Sequence, residues 1–348
     1  MFTRARSSRG GRLTPEQQAL VSRAVTLVSL VPALCSPRGA LALLPTTLYL
    51  LTGTLKEAAS KAPGDPTILA DCPTVAACLA GLQRLVGRRF ACLPAVEASY
   101  HATSHSGLLR VLDLAKTAPQ DTVVDEVSLL LAIKVYLVHG DPAMLAMPDA
   151  RYPAVNAFSA SLQSSDVQVR TRCLGLVCAL TKESPRAVAL PYIQALAPQV
   201  IQWCLGPALA LPATAPDLLL ALTSLDLLDC LLAMVLDKEA GAAALLTVHI
   251  PILIHFLVDD TATTLDTVTG QKAALHDAAL ARLTRLGASH PGQFKAVLGS
   301  SRDLGERVRR AVVANTARAK ARHQAAVARV AAPAPPSITL KMDFSNFK

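Results

Sequence analysis

Residues 149–180 constrain the fold most, because their pattern predicts two short antiparallel helices joined by a polar turn. Pro153 is expected to open the first helix, where its missing N–H costs nothing. Asp166 is expected to cap the second helix. Apolar side chains recur at helical spacing in both helices: Val155, Phe158 and Leu162, then Val169, Cys173, Leu176, Val177 and Leu180. Such a hairpin cannot bury its apolar faces alone, so the chain must supply similar neighbours.

The composition predicts an all-α fold. Apolar residues make up 52% of the 348 residues and charged residues 17%, which leaves ample material for a core. Aromatic residues are only 4%, and the apolar side chains are mainly Leu, Ala and Val. Leu and Ala favour helix, and the alternating β-branched runs that strands need are missing.

Internal repetition predicts a solenoid. The segments 94–98 and 153–157 match at four of five positions, and Pro45, Pro198 and Pro251 each fall inside a predicted helix with Leu or Ile three residues later. A proline bends a helix, and bent helices suit a curved stack. We expect roughly five to seven antiparallel helix pairs in a HEAT/armadillo-type α-solenoid.

The positive charge lies at the two ends of the chain. The net charge is +9, and residues 1–12 supply four Arg and no acid, whereas residues 302–348 supply ten Lys or Arg against three acids. The sequence therefore predicts four segments: a disordered basic N-terminus at 1–12, a helical body at 13–301, a basic terminal helix at 302–330 and a Pro-rich extended tail at 331–348.

The charge distribution also bears on partners. A nearly neutral body with few aromatic residues argues against a nucleic-acid groove. The basic terminal helix has an apolar face made mostly of Ala and Val, which is too thin for strong membrane insertion. We expect it to be solvated, or at most to make peripheral contact with an anionic membrane.

The cysteines and the N-terminus indicate a cytoplasmic protein. The eight cysteines are scattered without a C-x-x-C pair, and several fall on apolar helical stripes, as expected of free thiols in a reducing compartment. The basic start runs into polar residues rather than the apolar core of a secretory signal.

Two apolar stretches raise the alternative of a polytopic membrane protein. Residues 242–258 contain His249 and His255, and residues 218–236 contain Asp226 and Asp229. A charge at the bilayer centre costs about 2.5–3.5 kcal/mol, so two charges make insertion unfavourable. Buried helices of a soluble solenoid fit these stretches better.

The second helix of the hairpin resembles a HEAT repeat. Asp166 followed by Val169 and Arg170 is similar to the family pattern, in which the Asp and Arg of adjacent repeats form a ladder along the stack. Asp303 and Arg307 repeat the spacing less closely. The resemblance implies that Asp166 and Arg170 belong to such a ladder.

Two further stretches resemble the carboxy-terminal region of the HEAT-repeat-containing protein 5 family, which includes the yeast large AP-1 accessory protein and plant Sweetie. They are residues 43–52 (LLPTTLYLLT) and 290–295 (HPGQFK), and the similarity extends over most of residues 13–348. The family's members are far longer than this chain. The resemblance implies a cytosolic accessory protein of the clathrin adaptor AP-1, acting in traffic between endosomes and the trans-Golgi.

Residues that could support enzyme chemistry are sparse. His101 and His105 have the i, i+4 spacing of zinc ligands, but no third ligand is apparent, and a surface or packing pair is expected. The close carboxylate pairs fit helix caps or solvated faces. No nucleophile elbow or phosphate-binding loop is present. We therefore expect no catalytic residue, cofactor, metal or small-molecule substrate.

The tail is the most informative polar segment. Asp343, Phe344 and Phe347 resemble the acidic Phe-x-x-Phe peptides that bind the ear domain of AP-1-type adaptors. Two rings can fill adjacent pockets while the backbone pairs with a sheet edge. The alternative is that the tail folds back and caps the last helices.

Together these features predict a non-enzymatic scaffold that binds proteins. The first expectation is an accessory of AP-1-linked vesicle traffic, peripheral to endosome and trans-Golgi membranes. A HEAT scaffold of another assembly, in nuclear transport or phosphatase assembly, is the alternative.

Overall fold

In the computed structural model, residues 14–87, 94–114, 122–235, 239–258 and 270–331 are described. They are almost wholly helical, which confirms the all-α prediction. The chain divides into two compact units, Met1–His249 and Ile250–Lys348. This boundary lies inside the stretch 13–301, for which the sequence predicts one continuous body.

The first unit contains most of the helices. They are α1 Pro15–Leu30, α2 Pro37–Ala58, α3 Pro73–Gly87, α4 Pro94–Asp113, α5 Glu126–His139, α6 Pro142–Leu145, α7 Pro148–Leu162, α8 Val167–Glu183, α9 Arg186–Leu205, α10 Pro207–Ala210 and α11 Ala215–Val235. A 3₁₀ turn, Val31–Leu34, extends α1, and the two-residue strands β1 Ser60–Lys61 and β2 Val123–Val124 pair antiparallel. Helix α12, Glu239–His255, contains the boundary between the units.

Helix starts follow local chemistry. The Thr14 hydroxyl accepts from the Gln17 N–H while the Gln17 side chain accepts from the Thr14 N–H, which is a capping box ahead of Pro15. Ser36 and Asp166 cap α2 and α8 in the same way through side-chain oxygens. These caps satisfy N–H groups that the first helical turn leaves without partners.

The helices of the first unit contact one another in two rows. In one row α2, α4, α7 and α9 pack in succession, and in the other α1, α3, α5, α8 and α11 do so. Pairs cross between the rows, with α2 on α3, α4 on α5, α7 on α8 and α9 on α11. Most side chains of the apolar stripes predicted from the sequence are buried, among them Phe158, Leu162, Cys173 and Val177.

Side chains from both rows close this core. Phe158 of α7 and Tyr192 of α9 are buried and meet edge to face, with ring centroids 5.3 Å apart. The Tyr100 hydroxyl donates to the carbonyls of Leu85 and Val86, tying α4 to the end of α3. Gly107 lets α4 approach α5 closely, because a Cβ at this position would lie 2.8 Å from the Tyr136 hydroxyl of α5.

A buried ion pair ties β1 to α5. Lys61 Nζ lies 3.0 Å from Asp125 Oδ1 and also donates to the Thr67 carbonyl at 2.8 Å. Asp125 is fully buried, and its Oδ2 accepts from both the N–H and the hydroxyl of Ser128. The carboxylate therefore accepts three hydrogen bonds, so that it caps α5 and neutralises Lys61 at the same time.

One expectation about an element boundary was wrong, and two short helices were missed. Pro153 does not open its helix: α7 begins at Pro148 after Met147, and Pro153 lies inside the helix. The short helices α6 and α10 were missed because four-residue helices carry no measurable periodicity.

The second unit is smaller. Its later helices are α13 Gly270–Ser289, α14 Pro291–Ser300 and α15 Arg302–Ala331, and α14 packs on both α13 and α15. Two side chains of α13 satisfy the end of α12: Lys272 Nζ donates to the Phe256 carbonyl at 3.1 Å, and the Val258 N–H donates to His276 Nδ1 at 3.0 Å. Burial, and Arg307 second, lower the pKa of Lys272 to about 8.

Candidate partner-binding groove

A groove of about 330 Å³ lies between α3 and α5 of the first unit. Its lining comes mostly from one side of each helix: Ala76, Leu79, Ala80 and Gln83 of α3, Leu131, Lys134, Val135, Val138 and His139 of α5, together with Ala70 and Glu183. We call this feature the α3–α5 groove.

The groove exists because the facing side chains are small. Ala76 and Ala80 are one turn apart on α3, so their methyl groups leave space where larger residues would fill the gap. Leu131, Val135 and Val138 are half-buried and form an apolar floor. Partly exposed apolar side chains in a row are typical of surfaces that bind a partner.

Polar groups surround this floor. Lys134 Nζ lies 3.0 Å from Glu183 Oε1 and 2.9 Å from Oε2, which ties α5 to the end of α8. Burial lowers the pKa of His139 from its ordinary value, Glu183 opposes that shift and Lys134 adds to it. This shift favours the neutral imidazole, which can both donate and accept a hydrogen bond.

The groove places apolar side chains beside groups that can form hydrogen bonds. Its floor can accept apolar side chains, while Gln83, His139 and the Lys134–Glu183 pair can fix a backbone or polar side chain by hydrogen bonds. Among its lining residues there is no hydroxyl or thiol nucleophile to pair with His139.

A smaller hollow lies between α2 and α4 in the other row. Its volume is about 60 Å³, and Pro45, Gly107 and Arg110 are among the residues around it. Arg110 lies over the Tyr49 ring, with Cζ 4.6 Å from the centroid, which is a cation–π contact. This hollow is too small for more than a side-chain tip.

The two histidines with zinc-like spacing face different acids. His101 Nε2 lies 3.6 Å from Glu97 Oε1 on the same helix, whereas His105 Nε2 lies 3.6 Å from Asp149 Oδ1 on α7. Within the described ranges, no group of three or more His, Cys, Asp or Glu is placed to hold a metal ion. His105 thus connects α4 to α7.

Asp166 and Arg170, the two residues of the expected ladder, both lie at the start of α8 but make separate contacts. Asp166 Oδ1 accepts from the Gln168 N–H at 2.8 Å and caps α8. Arg170 lies over the Trp203 ring of α9, with Cζ 5.2 Å from the centroid. The ladder between repeats stays a prediction.

Asp343, Phe344 and Phe347 lie outside the described residues. The basic segment before them is helical through Ala331, and Arg302 Nε lies 2.8 Å from Glu306 Oε1 in its first turn.

Two features were not found from the sequence. The α3–α5 groove is marked only by Ala76 and Ala80 on one helix face, a weak signal in an Ala-rich chain. The Lys61–Asp125 pair joins residues 64 positions apart, and no local pattern indicates that contact.

The comparisons leave the family open. The chain matches no protein-family model, and it matches no solved structure.

Two described helical stretches, Pro15–Leu34 and Ala215–Val235, are long and apolar enough to cross a membrane. Core helices of soluble proteins pass the same test, so length and composition alone do not decide between the two.

Proposed function

We propose that this chain is a non-enzymatic HEAT-type α-solenoid scaffold that binds protein partners. The α3–α5 groove, with its apolar floor and polar rim in one helix row, is the observation that carries the proposal. Such a groove suits an amphipathic helix or extended peptide whose apolar side chains lie against Leu131, Val135 and Val138.

The succession of helix contacts supports the solenoid. In a solenoid each helix pair contacts mainly the pairs before and after it in the chain. The two rows of the first unit have this property, since α2–α3, α4–α5 and α7–α8 pair across the rows in chain order.

Within this class we propose a role in AP-1-linked vesicle traffic, in the cytoplasm and peripheral to endosome and trans-Golgi membranes. The support is the sequence resemblance at residues 43–52 and 290–295 and the tail motif of Asp343, Phe344 and Phe347. AP-1 subunits and their accessory proteins are then the expected partners. A HEAT scaffold in nuclear transport or phosphatase assembly is the second candidate, because the α3–α5 groove would serve it equally well.

The packing of α11 supports a soluble protein over a membrane protein. Leu220, Leu225 and Leu228 of this helix are buried, and the helix packs on α8 and α9. Its hydropathy is therefore explained by internal contacts.

The proposal is tested by capturing the tagged full chain from cells and quantifying co-purifying proteins. Three variants accompany the wild type: Ala80→Phe, which fills the α3–α5 groove, Phe344→Ala/Phe347→Ala in the tail, and Ala42→Phe at an exposed position of α2 as a matched control.

The expected result is that partner proteins, AP-1 subunits among them, co-purify with the wild type and with Ala42→Phe, and that Ala80→Phe loses some of these partners. Loss with the tail variant would assign the adaptor contact to the two rings, and loss with Ala80→Phe would assign it to the groove. Recovery of transport receptors or phosphatase subunits in place of AP-1 would overturn the trafficking role and favour the second candidate. Recovery of the same proteins by Ala80→Phe and the wild type would remove the groove from the proposal.

A further inference from the structure

The first helix turns its more apolar side away from the fold. Val25 and Ser29 of α1 are buried, and α1 packs on α3. On the other side, Leu20 and Leu27 expose 55% and 66% of their surfaces, and Leu34 of the 3₁₀ turn exposes 86%. The hydrophobic effect favours the reverse arrangement, because burying a leucine removes more apolar surface from water than burying a serine. Within the described part of the chain, no element covers these leucines.

Contacts with α3 fix this orientation of α1. Arg84 of α3 donates from Nη1 to the Ser29 hydroxyl, which itself donates to the Thr26 carbonyl at 2.7 Å. The two helices are also close at this point, because a Cβ at Gly81 of α3 would lie 3.2 Å from Ser29 Cβ. Such a close contact leaves no space into which α1 could rotate its leucines. The outward apolar face is therefore a property of the α1–α3 packing.

The outward side chains of α1 and the 3₁₀ turn have the spacing of a coiled-coil seam. They are separated by alternately four and three residues, and each of them is exposed: Leu20, Ala24, Leu27, Val31 and Leu34. We call these five residues the α1 seam. An average period of 3.5 residues is the pattern with which one helix packs along another, and such a stripe is narrower than the apolar face of a core-facing helix. The α1 seam therefore fits a helix as its partner.

The α1 seam is complementary to a second copy of itself. In an antiparallel pair centred between Ala24 and Leu27, the methyl group of Ala24 lies opposite Leu27 of the other copy. Leu20 then lies opposite Val31, and two-fold symmetry repeats both contacts. A parallel pair in register would instead place Ala24 against Ala24 and leave a gap inside the seam. The order of small and large side chains thus favours the antiparallel pair.

The area of this contact is sufficient for a reversible dimer. The α1 seam and the neighbouring Leu30, which is 37% exposed, would together remove about 1,000 Å² from solvent over the two copies, and a specific interface needs roughly that much. Obligate dimers bury about twice this area or more, so the chain should exchange between monomer and dimer.

We propose that two copies of this chain associate through the α1 seam, with their α1 helices antiparallel. The α3–α5 groove takes no part in this contact, since none of its lining residues belongs to α1. The dimer and the scaffold role are therefore independent, and either can fail without the other.

The first test measures the mass of the full-length protein by sedimentation equilibrium over a hundredfold range of concentration up to about 100 μM. The wild type is expected to rise from the 36.5 kDa of one chain to twice that mass. Leu27→Glu would bury a carboxylate against Ala24 of the other copy and is expected to stay monomeric. Leu211→Glu is the matched control, because Leu211 is 67% exposed outside α1, and it should dimerise as the wild type does.

Three results of this test would overturn the proposal. They are a wild type that keeps the mass of one chain at the highest concentration, a Leu27→Glu variant that still dimerises, and an equal loss of the dimer with Leu211→Glu. Circular dichroism of both variants verifies that the helices are retained, so that a loss of the dimer is not a loss of folding.

Disulfide trapping tests the antiparallel order. Leu20→Cys and Val31→Cys are each combined with Cys35→Ser, which removes an exposed thiol near the α1 seam. An equal mixture of the two is expected to give a cross-linked dimer on oxidation, because the two positions lie opposite each other. Each variant alone should give none, since like positions would be about 16 Å apart along the helices. Cross-linking of Leu20→Cys with itself would show a parallel contact and overturn the proposal.

A membrane is the other surface that could cover the α1 seam. The wild type and Leu27→Glu are therefore floated with vesicles of phosphatidylcholine and phosphatidylserine. The wild type is expected to remain in the soluble fraction as a dimer. Flotation of the wild type that Leu27→Glu abolishes would assign the seam to lipid and overturn the proposal.

Discussion

Two interfaces of the same helix row differ in how completely they close. Between α3 and α5, Ala76 and Ala80 leave a groove of about 330 Å³ over a half-buried apolar floor. Farther along the row, α11 buries Leu227 and Leu228 completely and packs on α8. Both interfaces join long helices that are packed side by side.

The difference shows that side-chain volume decides the use of each interface. Leucine side chains fill the contact between α8 and α11. This contact therefore stabilises the fold and leaves no room for a partner. Alanines on α3 leave part of the α5 surface unfilled, so that the same row offers an apolar surface for binding. Replacements at the two places should therefore have opposite consequences for stability and binding.

The largest difference in stability is expected between two ion pairs, the buried Lys61–Asp125 pair and the Lys134–Glu183 pair at the groove rim. Asp125→Ala leaves the nearly buried Lys61 ammonium without its carboxylate and removes the cap of α5, and the expected loss is about 3–5 kcal/mol of unfolding free energy. Glu183→Ala, at the groove rim, breaks a pair whose members are 20% and 47% exposed and should cost about 0.2–1 kcal/mol. Urea unfolding followed by circular dichroism measures both, and equal losses would contradict the difference in burial.

A smaller difference in unfolding free energy is expected between apolar replacements in α11 and in the groove wall. Leu228→Ala deletes a fully buried side chain of α11 and should cost about 2–5 kcal/mol, since the surroundings relax only partly around the cavity. Leu79→Ala removes a half-buried side chain from the groove wall and should cost about 1 kcal/mol or less. The same urea titration compares them, and a loss at Leu79 as large as at Leu228 would mean that the groove is closed in solution.

Filling the groove should separate binding from stability. Ala80→Phe places a ring over the α5 floor, and the expected change in unfolding free energy is within about 0.5 kcal/mol, as for an ordinary surface replacement. Partner capture should fall at least about tenfold, which corresponds to about 1.4 kcal/mol of binding free energy. Ala42→Phe on α2 is the matched control, and equal capture by both variants would separate the groove from binding.

The smallest expected effect is a pH dependence at the groove. Because burial lowers the pKa of His139 below 6.5, the unfolded chain binds more protons than the folded chain between the lowered pKa and 6.5. The stability contribution of His139 is complete above pH 6.5 and decreases as the pH falls through that window. His139→Gln should flatten the decrease by less than about 1 kcal/mol, since the side chain is partly exposed. Urea titrations at pH 7 and pH 5 measure it, and an unchanged slope would contradict the burial of this imidazole.

The sequence predicted the helices well because their signals are local. The Asp166 cap and the helix-internal positions of Pro45, Pro198 and Pro251 all occur in the structure where the residues indicate them. The prediction for Pro153 was wrong because a proline fits both the first turn and the bent interior of a helix. In the structure Pro148 occupies the first turn of α7 and Pro153 lies inside it.

The candidate site was harder to predict because it depends on contacts between distant residues. The α3–α5 groove depends on which face of α3 meets α5, a register that only the packed rows define. Sequence reasoning placed the binding residues in the tail, at Asp343, Phe344 and Phe347, where the structure does not describe them.

The central claim, that the α3–α5 groove is a protein-binding surface, is tested most directly by site-specific photocross-linking in cells. A benzophenone amino acid at Gln83, on the groove rim, is compared with one at Thr46, an exposed position of α2 in the other row. The account expects a discrete cross-linked partner from Gln83, suppressed by Ala80→Phe, and none from Thr46. Cross-links from Thr46 with none from Gln83 would contradict it and place the partner on the other helix row.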